Sequence, residues 1–145
     1  MQLESLCLSL LKEKGLTFAS AESCTGGLIA KRITDLPGSS AVFMGGIVSY
    51  TNEVKHKVLG VAQNLLDACG AVSEEVARSM AENARERLGA DFGLSTTGVA
   101  GPDRDDRGNE VGTVYIALAH KDGTLCKKVF AGLGSGRGRV RSGAV

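Results

Sequence analysis

The segment "LTFASAESCTGGLIAKRITDLPG", residues 16–38, limits the fold more than any other stretch. "LTFASA" reads as a short buried strand and "ESCTGG" as a glycine turn. From Thr25 onward, Leu28, Ile29, Ile33 and Leu36 recur on one side of a helix that Pro37-Gly38 ends. A strand that turns straight into a helix calls for a crossover back to the sheet, and the rest of the chain supplies it. Before this segment, Leu3, Leu6, Cys7, Leu10 and Leu11 mark one face of a helix over residues 3–13, closed by Gly15. After it, "AVFMGGIVSYT" is a second strand, so continuously apolar that a central place in the sheet is expected. Asn52 is expected to cap "EVKHKVLG", and a short helix follows around "QNLLDACG". Ser73 caps "EEVARSMAENARERL", whose Val76, Ala77, Met80, Ala81, Ala84 and Leu88 form a stripe. A third strand, "DFGLSTTG", runs into the loop "GVAGP". The charged excursion "DRDDRGNE" is expected to be mobile, and "VGTVYIALAH" and "TLCKKVFAG" flank "KDG" as a hairpin. Helices alternating with strands, then a hairpin, indicate an α/β sandwich around a mixed sheet. Residues 1–132 are read as one domain. Residues 133–145, rich in Gly and Arg, are read as a flexible tail.

Several function classes are disfavoured by composition. With 17 Lys and Arg against 16 Asp and Glu, the net charge of +1 offers no general attraction for nucleic acid or an anionic membrane. Two Tyr, four Phe and no Trp leave little for base stacking. The four cysteines are scattered without a C-x-x-C pair, and His56 and His120 are far from metal-ligand spacing, so no metal site is expected. The N-terminus carries Glu4 and lacks a basic leader region, and no apolar run reaches membrane-spanning length. A soluble cytoplasmic domain with reduced thiols is the expectation.

Two Gly-rich loops, "ESCTGG" and "TTGVAGP", follow different strands, where ligands of open α/β sheets gather. The first opens a helix, whose amides suit a phosphate or carboxylate. Ser23 and Cys24 both qualify as nucleophiles, and spacing alone does not separate them. Thr25 suits the helix cap. A serine needs a base: His56 is the one plausible imidazole, since His120 lies at the far end of a strand, and Lys55 is its rival. A lysine base requires a pKa about three units below normal, or roughly 4 kcal/mol of differential stabilisation, which burial supplies.

These motifs, "AESCTGGLIAKRITDLPGSSAVFMGGIVSYTNEVKHKVLGV", "GAVSEEVARSMAENAR", "TTGVAGPD" and "VGTVYIALA", resemble the C-terminal domain of the CinA (competence/damage-inducible) proteins over about residues 5–132. That domain also occurs alone as the bacterial nicotinamide-nucleotide amidase. The resemblance implies a three-layer α/β/α fold around a mixed, mostly parallel sheet. It also implies hydrolysis of nicotinamide mononucleotide to nicotinate mononucleotide and ammonia, in cytoplasmic recycling of pyridine nucleotides. No metal or organic cofactor is implied, and a homo-oligomer is. By resemblance Ser23 is the nucleophile, Lys55 its base and Tyr50 their neighbour. Glu22, Cys24, Thr25, Gly26 and Gly27 of the first loop, with Thr97, Gly98, Ala100 and Gly101 of the second, line the substrate.

In one respect the chain departs from the family pattern. An Arg-x-x-Val-Arg motif opens a final long helix in the family. Arg137 and Arg141 match it here after a short Gly-Ser insertion, but the sequence stops at Val145. The two arginines are carried as candidate phosphate ligands. The alternative function is a nucleotide-binding or regulatory domain without turnover. Nucleic-acid binding rests on the tail arginines alone and is not expected.

Overall fold

A computed structural model describes residues 2–131. The leucine-rich start forms helix α1 (Leu3–Lys14), which Gly15 ends in the left-handed conformation, its N–H donating to Leu11 O and Lys12 O. Strand β1 (Phe18–Glu22), helix α2 (Leu28–Thr34), strand β2 (Phe43–Val48) and helix α3 (Asn52–Lys57) follow in order. Helices α4 (Gln63–Cys69) and α5 (Glu74–Arg87) precede strand β3 (Phe92–Gly98) and the hairpin of β4 (Thr113–His120) and β5 (Gly123–Phe130). The strands form one mixed sheet in the order β2-β1-β3-β4-β5. β1 pairs parallel with β2 and β3, whereas β3–β4 and β4–β5 are antiparallel.

Helices cover both faces, which gives the expected α/β/α layering. α5 lies across β1, β3, β4 and β5, while α2 covers β1 and β2 on the other face with α1 beside it. Two cores result. Behind the sheet, Ala21 packs with Leu59, Val61, Leu66, Val76, Met80 and Ala84; in front, Leu8, Phe18, Ile33 and Val42 pack together. The alanine-rich stripe of α5 allows a very close approach to β3. A Cβ on Gly93 would lie 2.0 Å from the Ala81 carbonyl oxygen, and the Ser95 hydroxyl donates to Ala77 O at 2.6 Å. Ser73 caps α5 as read from sequence, its hydroxyl accepting from Val76 N.

Four expectations are corrected. β2 is an edge strand, not a central one: its apolar run includes Met44 and Val48, 51% and 47% exposed. On α1 the buried residue is Leu8, whereas Leu3, Leu6 and Leu10 of the expected stripe stay exposed, because the helix sits at the border of the front layer. Cys7, Leu10 and Leu11 instead line an open apolar groove against Leu94 and Leu118 of the sheet. The cap of α3 is Thr51, whose hydroxyl accepts from Val54 N, and not Asn52, which is already helical. The charged excursion is anchored: Asp105 Oδ1 accepts from the amides of Arg107 and Asn109, and Arg107 donates to Ala68 O and Asp67 O. An acidic turn residue followed by an arginine that covers the last carbonyls of α4 fixes what composition alone marks as loose.

Replacing Gly93 by Ala forces α5 off β3. The expected cost is about 3 kcal/mol or more, at the upper end of overpacking penalties, read as a lowered midpoint in urea denaturation.

Candidate functional site

Three strands end together at one edge of the sheet, and their continuations build the site. β1 is followed at once by Ser23, whose N–H donates to Thr96 O of β3 at 3.0 Å and so extends the ladder by one residue. The chain then reverses through Gly26 and Gly27, with φ of 63° and 102°. Two consecutive positive φ values explain the glycine pair, since a Cβ would strain both. Gly26 N–H donates back to Ser23 O at 3.1 Å.

Glu22 holds this turn. Its side chain is buried, with Oε1 accepting from the Thr25 hydroxyl at 2.6 Å and Ile29 N at 2.9 Å, and Oε2 accepting from Ala30 N at 3.1 Å. Amides at the start of α2 that the sequence offers to a phosphate are thus filled by the chain's own carboxylate. Glu22 is buried, with both carboxylate oxygens turned to the chain's own donors. Thr25 is not the helix cap; Gly27 occupies that position. The Thr25 hydroxyl has one proton and gives it to Glu22, so it accepts at 2.8 Å from Thr96.

Lys55 arrives from β2 by way of α3 and is the buried residue of that helix. Its Nζ lies 2.9 Å from Ser23 Oγ, 2.7 Å from Ser49 O and 3.4 Å from Tyr50 O. Burial pushes the Lys55 amine down from 10.5 to about 8. A neutral amine matches this setting: two N–H bonds point to the two carbonyls, and the lone pair faces the serine proton. His56, the other candidate base, is exposed, and its Nδ1 is engaged with Val61 O at 2.8 Å. Burial pushes the Cys24 thiol up to about 11, so at neutral pH it is protonated and a poor nucleophile. Of the two candidates the geometry favours Ser23.

The remaining expected residues divide into three groups. Tyr50 contributes its backbone carbonyl, and its side chain is 56% exposed with no hydrogen bond among the described residues. Thr97 is buried and donates to Ala71 O at 2.7 Å, which anchors the second loop and leaves Gly98, Ala100 and Gly101 half-buried beyond it. Arg137 and Arg141 lie outside the described residues, as does the segment 133–145. Sequence reasoning missed Ser49, which contributes a carbonyl, and Thr96, which contributes a carbonyl and a hydroxyl. Only the second has a signal, as a neighbour of the loop threonine in "STTG".

The chain matches the CinA C-terminal domain along residues 1–145, and it belongs to that family. A CinA-like protein of Geobacter sulfurreducens is 57% identical over 124 residues, which cover 85% of this chain and 30% of the relative. A solved competence-damaged protein (CinA) superfamily protein of Escherichia coli is 32% identical with a TM-score of 0.93, covering 98% of this chain and 81% of that one. The competence/damage inducible protein CihA of Agrobacterium tumefaciens is 39% identical with a TM-score of 0.90, covering 96% and 84%. This chain spans only 34%, 32% and 30% of the length of three curated relatives.

Two outcomes follow from the buried charges. Glu22→Gln places an amide donor against the Ala30 N–H and should cost about 1–3 kcal/mol, read by urea denaturation. For Lys55, the unfolded chain holds the proton more tightly than the folded one. Folding therefore releases it between pH 8 and 10.5, and stability rises with pH across that window. Relative to Lys55→Met, the parent should gain about 3 kcal/mol over those pH values, measured as the difference between their unfolding free energies.

Proposed function

We propose that this domain is a serine amidase that deamidates nicotinamide mononucleotide to nicotinate mononucleotide. The observation that carries the reading is the 2.9 Å contact between a buried Lys55 amine and Ser23 Oγ. Neutral Lys55 takes the serine proton as Oγ bonds to the carboxamide carbon, and the carbonyl electron pair moves onto oxygen. Collapse of that intermediate breaks the C–N bond, and Lys55 returns the proton to the departing nitrogen, which leaves as ammonia. Water, deprotonated by the same amine, then cleaves the acyl ester and frees Ser23. Among the described residues the amides of Cys24, Thr25 and Gly27 have no acceptor, whereas that of Gly26 is committed to Ser23 O. The unpaired ones are suited to stabilising the oxyanion.

Each step is served by a side chain or a backbone amide, so the reading needs no metal or organic cofactor. The nucleotide would lie between the turn at residues 23–27 and the loop at 97–101. We assign the domain to cytoplasmic recycling of pyridine nucleotides in a bacterium, as a homo-oligomer with no membrane or nucleic-acid partner. That assignment rests on the family and on the dyad. Among the described residues no helix is long and apolar enough to cross a membrane.

Ammonia release from nicotinamide mononucleotide tests the reading. Ser23→Ala and Lys55→Met should each lose about 10³-fold or more in kcat, whereas Cys24→Ala, which keeps its backbone amide, should stay within about tenfold. Because the base form of Lys55 is required, kcat/KM should rise about tenfold per pH unit and level off above about 8. A folded parent that binds the nucleotide and releases no ammonia would favour the binding-only alternative.

A further inference from the structure

The backbone of β3 offers a second group to the reacting carbonyl. Along a strand between two neighbours, successive residues direct their N–H and C=O to alternate sides. Val99 N–H donates to Thr113 O of β4's first residue at 2.9 Å, so odd-numbered positions here face β4. Thr96 O accepts from Ser23 N–H at 3.0 Å, so even-numbered positions face β1. Gly98 is the next even position, and its N–H therefore points to the β1 side. β1 has ended there. Ser23 O, which would continue the ladder, accepts instead from Gly26 N–H. The Gly98 N–H has no acceptor among the described residues, although the residue is half-buried. It lies about 6–7 Å along the strand from Thr96, abreast of the turn that follows Ser23.

A hole of the usual kind pairs the nucleophile's own amide, or that of the residue after it, with one from another loop. Ser23 N–H is unavailable, being bonded to Thr96 O. Cys24 N–H, next in the chain, is unpaired among the described residues. The strand is held against β4 where Gly98 sits: a Cβ there would meet Thr113 O at 2.7 Å and Val114 Cγ2 at 2.8 Å. That close approach leaves room there only for glycine. We infer that Gly98 N–H is the second donor of a divided oxyanion hole, with Cys24 N–H the first, each contributed by one of two adjacent strand ends. The ligand is the oxygen of a carbonyl or phosphonyl group under attack by Ser23.

This inference rests on Ser23 being the nucleophile and not on which amide is its substrate. The experiment replaces Gly98 in the full chain with glycolic acid, which exchanges the N–H for an ester oxygen. A fluorophosphonate is the probe: Ser23 Oγ bonds to phosphorus, fluoride leaves, and the hydroxyl proton passes to Lys55. Labelling of Ser23, followed by mass spectrometry, should slow about 10²-fold. The melting midpoint should fall far less than in a control with the hydroxy-acid analogue of Val99, whose N–H does hold the sheet. Unchanged labelling, a melting loss equal to the control, or a parent that does not label at Ser23 would each overturn the inference. A parent that labels at Ser23 yet releases no ammonia from nicotinamide mononucleotide would end the reading of that nucleotide as the substrate and leave this inference standing.

Discussion

One buried carboxylate organises the working end of this domain. Glu22 satisfies the first amides of α2 and the Thr25 hydroxyl with its side chain, which locks the turn that carries Ser23. With its backbone it does something separate. Glu22 O accepts from Ser49 N at 2.8 Å, which pins the end of β2 and so aims the carbonyls that surround Lys55. Ser23 and Lys55 are therefore positioned from the same residue, by two different groups. A carboxylate cut off from water is costly unless its acceptor sites are filled, and three donors from its own chain fill them here. Filling them also closes this helix terminus to outside anions, so any substrate phosphate must find its partners elsewhere.

The site separates two proton carriers that lie side by side. The lysine amine is pushed down to about 8 and the neighbouring thiol up to about 11, both by burial. Desolvation acts against whichever form is charged, so it moves an ammonium and a thiolate in opposite directions. The lysine consequently loses its proton well before the thiol does. Cys24 is left as a small apolar filler against Val114, and the hydroxyl is the group with a base beside it.

Much of this arrangement was legible in the sequence, for definable reasons. The α5 stripe and its Ser73 cap obey local rules, which need no knowledge of neighbours. The hairpin did likewise. Gly26 and Gly27 announced a turn with special dihedrals, and Ser23 with Lys55 followed from nucleophile chemistry and family resemblance together. What escaped was non-local. Whether β2 lies at the edge or the centre depends on which strand pairs with β1, and apolar content cannot decide it. Thr25 looks like a cap until Glu22, folded back from the preceding strand, takes the amides first. Tyr50, a neighbour of the pair by resemblance, meets the lysine through its carbonyl. Ser49 and the backbone direction of β3 leave no trace in residue type, because a carbonyl or an amide can be offered by any residue.

The pairing of β1 with β3 also has a consequence in time. The Thr25 hydroxyl meets that of Thr96 across 71 residues of sequence, and Ser23 is tied to the same residue through its amide. During synthesis, β1, α2, β2 and α3 all leave the ribosome before β3 exists. Until then Ser23 lacks the strand that sets its orientation, and the nascent chain carries a serine and a lysine that are chemically ordinary. Closing so distant a contact is a late and comparatively slow step in folding. If Ser23 is the nucleophile proposed above, its hydroxyl becomes reactive only once most of the sheet is in place.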